Sequence, residues 1–177
     1  MNVICFGDSN TYGYDPRDYF GGRYDADSRW VDILAEETGW AVRNMGQNGR
    51  EIPSSAPPLP ADTDLLIVIL GANDLLQGRR PEQAAGRLER FLSGISLERN
   101  KILLIAPPPM VLGEWVPSQQ LIDDSRAFSG LCQALAERLG IRFADAGKWD
   151  IPLAYDGVHF TEQGHRAFAA GLLEELR

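Results

Sequence analysis

Only two histidines, His159 and His165, occur in this chain of 177 residues, and both lie near its C-terminus. Asp156 precedes His159 by three residues. In a turn or a helical start that spacing brings the two side chains to one side, within hydrogen-bonding reach. A carboxylate so placed fixes the tautomer of the ring and stabilises the imidazolium, leaving the other ring nitrogen free to act as a general base. Such a base needs a nucleophile. Ser9 is the candidate, because Gly7-Asp8-Ser9 follows directly on the first apolar run of the chain. The chemistry implied is acyl transfer through a covalent serine intermediate.

A transient oxyanion in that chemistry calls for hydrogen-bond donors. Gly71-Ala72-Asn73-Asp74 follows another apolar run, where Gly71 lets the chain turn and Asn73 offers a side-chain amide. The N–H of Gly46 is a second candidate donor. Asp8 and Asp74 sit beside glycines after strands and read as supports that accept backbone N–H bonds and shape their loops. Taken singly, each motif has a plain structural meaning, Gly-Asp-Ser as a helix cap and Asp-x-x-His as a surface turn. Together, in compatible order, they point to a hydrolase. A metal site built on Asp156, His159 and His165 lacks a third nitrogen or thiolate ligand nearby. Neither metal nor cofactor is expected, and His165 reads as an ordinary helix residue.

These residues need a scaffold that delivers them to one place. Short apolar runs recur at Asn2–Phe6, Ala41–Met45, Asp64–Leu70, Lys101–Ala106 and Ile141–Asp145. Helical spacing appears at Trp30, Ile33 and Leu34 before Gly39, after Pro81, from about Pro117 to Gly140, and after Thr161. Runs that are apolar on consecutive residues, such as Leu65 to Leu70, belong to strands covered on both faces. The pattern predicts an α/β fold, a three-layer α/β/α sandwich around a five-stranded parallel sheet, as a single domain over 1–177. Right-handed crossovers gather the loops that follow the strands at one sheet edge, where ligands bind. With strand order 2-1-3-4-5, the crevice lies between the strands that deliver Ser9 and Asn73.

Composition narrows the partners. The formal charge is −8, the hydrophobic fraction 44% and the charged fraction 24%, values of an ordinary globular chain with no basic field for nucleic acid or anionic membranes. No run approaches the ~20 apolar residues of a membrane span. The N-terminal residues lack the pattern of a secretion signal, and Cys5 and Cys132 read as buried free thiols, so a cytoplasmic location is expected. The partner expected is a small-molecule ester. Oligomeric state stays open, a homo-oligomer included.

Gly7-Asp8-Ser9, Asn44-Met45-Gly46-Gln47-Asn48-Gly49, Gly71-Ala72-Asn73-Asp74 and Asp156-Gly157-Val158-His159-Phe160 occur in the order of the four blocks of the SGNH hydrolases. The chain resembles that group, the GDSL esterase/lipase superfamily, nearly end to end. Cys5 to Gly13, Arg29-Trp30 and Phe143 to Gly147 further resemble its bacterial arylesterase/acyltransferase branch. The absence of Gly-x-Ser-x-Gly argues against the α/β-hydrolases. The resemblance implies Ser9 as nucleophile, His159 as base and Asp156 as orienting acid. Its oxyanion hole would comprise Ser9 N–H, Gly46 N–H and the Asn73 side chain. The expected function is a serine esterase for short-chain carboxylic esters, with acyl transfer to alcohols. Carbohydrate acetyl esterase, lysophospholipase and thioesterase are alternatives on the same site, and a non-catalytic binding module is the alternative of another class. Tyr12 and Tyr14, in an aromatic segment with Tyr19, Phe20 and Tyr24, and Trp115, Trp149 and Tyr155 on later sheet-edge loops are candidate pocket walls.

Overall fold

A computed structural model describes residues 1–177. Its sheet has five parallel strands: β1 (Asn2–Gly7), β2 (Ala41–Gly46), β3 (Leu65–Ile69), β4 (Ile102–Ala106) and β5 (Arg142–Asp145). The order across the sheet is β2-β1-β3-β4-β5, as expected from the sequence. The helices are α1 (Ser9–Tyr12), α2 (Trp30–Thr38), α3 (Ala72–Leu76), α4 (Pro81–Ser93), α5 (Gln119–Leu139) and α6 (Glu162–Glu175).

Side chains alternate across the pleat and fill two separate cores. Ile4, Phe6, Leu66, Val68, Ile102 and Leu104 pack with Leu88 and Phe91 of α4 and Phe128 and Leu135 of α5. On the other face Val3, Cys5, Ile67, Leu103 and Ile105 meet Trp30 and Leu34 of α2 and Phe168 and Leu172 of α6. β1, β3 and β4 are buried almost throughout, whereas β2 and β5 are partly exposed edges. Each fully buried Leu, Ile or Phe contributes about 1.5–3 kcal/mol of burial free energy, so the central strands are the stable frame of the site. Ser118 caps α5 by accepting Leu121 N–H, so that helix starts two residues after the proline where the sequence placed its beginning. Thr161 caps α6 through Gly164 N–H. No helix is long and apolar enough to cross a membrane.

Register brings the motifs together. Gly7 pairs with Gly46 on one side and with Ile69 on the other, so the chain leaves β1, β2 and β3 at adjacent points of the same edge.

Candidate active site

Ser9 opens α1 immediately after β1. The Asp8 carboxylate accepts Asn10 N–H at 2.9 Å and caps the helix, while Ser9 itself is 5% exposed. Facing it is a hairpin near the end of the chain. Leu153 bridges to Phe160 and Ala154 N–H donates to His159 O at 2.7 Å, closing a loop that presents Asp156 and His159 on one side. Val111, Glu114 and Trp115 donate their N–H groups to the carbonyls of Gly157, Tyr155 and Asp156 and hold this loop from behind.

Ser9 Oγ lies 2.9 Å from His159 Nε2, and Asp156 Oδ2 lies 2.6 Å from His159 Nδ1. Asp156 Oδ1 accepts the N–H groups of Val158 and His159, both at 2.9 Å. Burial alone would raise the Asp156 carboxyl. Hydrogen bonds from the His159 ring and from these two N–H groups outweigh it and hold the group below the usual carboxylate range. The arrangement can move a proton from the serine hydroxyl to an imidazole whose far side faces an ionised carboxylate. Asp8 differs: burial pushes its carboxyl up to about 6, against the opposing effects of Asn10 N–H, His159 and Arg50.

Asn73 lies at the start of α3, after Gly71 turns the chain at φ 116°. Its Nδ2 donates to Arg50 O at 3.1 Å, which leaves the second amide hydrogen free. Ser9 N–H, at the first position of α1, takes no acceptor from the protein. Gly46 corrects an expectation. Its N–H is donated to Asn44 Oδ1 at 2.8 Å and is not available to a substrate. Glycine is required there for a different reason, because a Cβ would overlap the α1 backbone at Thr11 and Tyr12. Further along the same loop, Gly49 N–H has no acceptor in the protein.

Two arginines that sequence reasoning missed fasten this loop. Arg50 donates to Gly7 O at 2.9 Å, to Met45 O, and to Gln47 Oε1 at 2.9 Å, with its guanidinium 4.3 Å over the Phe6 ring. It ties the ends of β1 and β2 together. Asp74, completely buried, accepts Ile52 N–H at 2.8 Å, and Arg87 of α4 donates to Ile52 O. Arg87 Nε also stands 3.0 Å from Asp74 Oδ1, a charge contact outside hydrogen-bond geometry. Burial raises the Asp74 carboxyl, and Ile52 N–H, Arg87 and Arg79 oppose that rise.

The aromatic candidates divide. Tyr14 and Trp115 flank the His159 ring edge-on, with centroids at 4.7 and 4.9 Å. Tyr12 instead lies under the Arg23 guanidinium, 4.5 Å from its ring. Tyr155 sends its hydroxyl to Pro16 O at 2.9 Å and pins the segment that follows Tyr14. Trp149 is a correction: it packs on Phe168 of α6 at 5.1 Å, in a slot that exists because residue 171 is glycine, and belongs to the core. A cleft of about 280 Å³ lined by Asn2, Ile4, Arg43 and Asp62 lies at the opposite end of the sheet, far from Ser9. No three His, Cys, Asp or Glu side chains converge closely enough to hold a metal ion.

A family model, the GDSL-like lipase/acylhydrolase family, matches residues 5–167. Comparison with curated proteins gives no match. Among solved structures, a carbohydrate acetylesterase family member from Sinorhizobium meliloti is 25% identical with a TM-score of 0.82, covering 100% of this chain and 98% of that one. The aryl esterase of M. smegmatis is 27% identical, also with a TM-score of 0.82, over 100% of this chain and 98% of that one. A lipase/acylhydrolase from Enterococcus faecalis, at 22% identity and a TM-score of 0.74 over 99% and 95% of the two chains, shares the fold. The chain belongs to the GDSL-like lipase/acylhydrolase family and is a carboxylic ester hydrolase.

Proposed function

We propose that the protein hydrolyses short-chain carboxylic esters through an acyl-enzyme on Ser9. The observation that carries this reading is the continuous relay from Ser9 Oγ through both nitrogens of His159 to Asp156, at 2.9 and 2.6 Å. Ser9 Oγ attacks the ester carbonyl as His159 Nε2 takes its proton, and the protonated ring then gives that proton to the departing alkoxide. Water repeats the sequence on the acyl-serine, returning the proton to Ser9 and releasing the acid. An alcohol in place of water yields a new ester, so acyl transfer accompanies hydrolysis.

Ser9 N–H, the free hydrogen of Asn73 Nδ2 and Gly49 N–H form the oxyanion hole in this account. Gly49 takes the place expected of Gly46, since its N–H is unengaged and the next carbonyl, of Arg50, orients the Asn73 amide. The short-chain reading rests on the rings of Tyr14 and Trp115, which stand edge-on against His159 at 4.7 and 4.9 Å and crowd the approach to a base that is 2% exposed. Acetylated carbohydrate is the second substrate class, favoured by the likeness to the Sinorhizobium meliloti acetylesterase family member. The test is hydrolysis of p-nitrophenyl esters of increasing chain length by wild type and by Ser9→Ala, both checked for folding by circular dichroism. Acetate and butyrate are expected to outrun decanoate, and folded Ser9→Ala to be inactive. Faster decanoate turnover overturns the short-chain reading, and persistent activity in Ser9→Ala overturns the nucleophile.

A further inference from the structure

Asn10 follows Ser9 directly and carries four hydrogen bonds while only 6% exposed. Its N–H goes to Asp8 Oδ1 at 2.9 Å, and its carbonyl accepts Trp30 Nε1 at 2.9 Å. The side chain reaches 150 residues along the sequence. Asn10 Oδ1 accepts Phe160 N–H at 2.9 Å, and Nδ2 donates to Val158 O at 3.2 Å. These two backbone groups belong to the residues immediately before and after His159. Their chemistry also fixes the amide's orientation, because Phe160 offers a donor and Val158 an acceptor, which the oxygen and the NH₂ of one amide satisfy together.

Apart from the Ser9–His159 contact itself, these are the only hydrogen bonds between residues 8–12 and residues 156–160. The bonds from Val111, Glu114 and Trp115 reach the acid end of the loop at Asp156 and do not touch the nucleophile. We propose that Asn10 is a positioning residue for acylation: its amide, clamped to the backbone on both sides of His159, sets the distance and angle between Ser9 Oγ and the imidazole. Trp30 of α2 completes the device by fixing the Asn10 main chain from the second core. This inference rests on reading Ser9 as nucleophile and His159 as its base.

The test is the rate of Ser9 labelling by a fluorophosphonate, which reports activation of the serine without assuming an ester substrate. Wild type, Ser9→Ala, Asn10→Ala and Asn10→Asp are compared, with kcat and KM on p-nitrophenyl acetate measured in parallel. Asn10→Asp keeps the acceptor for Phe160 N–H and, once ionised, turns a second oxygen toward Val158 O, so its labelling is followed with rising pH until the rate no longer changes and the comparison is made there. A merely structural role lowers the labelling endpoint, because fewer molecules are folded. Mispositioning lowers the rate constant at an undiminished endpoint. The expected result is a rate constant and kcat reduced about 10- to 100-fold in both Asn10 variants, the scale of a misplacement near 1 Å, with KM little changed. A full endpoint reached at a rate within about twofold of wild type overturns the proposal and leaves the nucleophile reading standing. Should Asn10→Ala fail to fold, Asn10→Asp decides by the same criterion. Failure of wild type to label beyond Ser9→Ala overturns the reading of Ser9 and His159, and the proposal with it.

Discussion

The loop of residues 156–160 and the first turns of α6 each bury a histidine, and the two rings are in opposite situations. His159, 2% exposed, has Asp156 on one nitrogen and Ser9 on the other. His165, 0% exposed, has a partner on neither, and it faces the rings of Tyr24 and Phe160 with centroids at 5.4 and 5.3 Å. Burial pushes the His165 ring down to about 3, with His159 and Arg29 adding to the effect, so it is neutral at any ordinary pH. Exclusion of water does not by itself make an imidazole a base. A partner that stabilises the charged ring and an acidic proton within reach do, and only the hairpin supplies both.

Substitution at both positions is the sharpest way to break this contrast. His159→Gln is expected to lower kcat by about 10⁴- to 10⁶-fold in steady-state ester hydrolysis, the scale seen when a triad member is removed. His165→Leu is expected to leave kcat within about threefold, since the ring touches no reacting group. Equal losses at the two positions, both proteins being folded, would erase the distinction.

Asn73→Ala extends the comparison to the other side of the substrate. Removing one preorganised donor is expected to reduce kcat by about 10²- to 10³-fold with KM nearly unchanged. A loss below tenfold would make Asn73 only a tether for Arg50 O.

The smallest effect is on stability and has a defined sign. The folded state holds His165 at about 3, against 6.5 for an unperturbed histidine, so between these values the unfolded chain binds more protons. The stability contributed by the neutral ring is complete above pH 6.5 and is lost as pH falls toward 3. At pH 5 the loss is on the order of 2 kcal/mol. Urea unfolding of His165→Leu is expected to show this acid-side slope removed. An unchanged slope would mean that the ring is not held neutral.

The structure is legible in the sequence where one side chain's neighbours are dictated by strand or turn spacing. Short apolar runs match all five strands within a residue or two; in β1, β3 and β4, buried on both faces, the run is nearly unbroken, whereas the edge strands β2 and β5 carry Arg43, Asn44 and Arg142 among their apolar residues. Asp156 and His159 were paired from a separation of three residues, which the hairpin turns into direct contact. Helices α1 and α3, of four and five residues, went unread because so few residues carry no apolar period. The engagement of Gly46 has a local signal in the sequence: Asn44 two positions earlier can accept the Gly46 N–H in an Asx turn. The core position of Trp149 is not legible locally, because the slot that receives it is made by Gly171, on a helix elsewhere in the chain. Asn10, Arg50 and Arg87 act through backbone groups distant in sequence, which no spacing rule reveals.

The most direct test of the account is the mass of the protein after brief mixing with p-nitrophenyl acetate, followed by mapping of the modified peptide. Wild type and His165→Leu are predicted to carry a single acetyl group on Ser9, and His159→Gln to carry none on that timescale. An acetyl group on another residue, or acetylation of Ser9 that survives loss of His159 but not of His165, would contradict it.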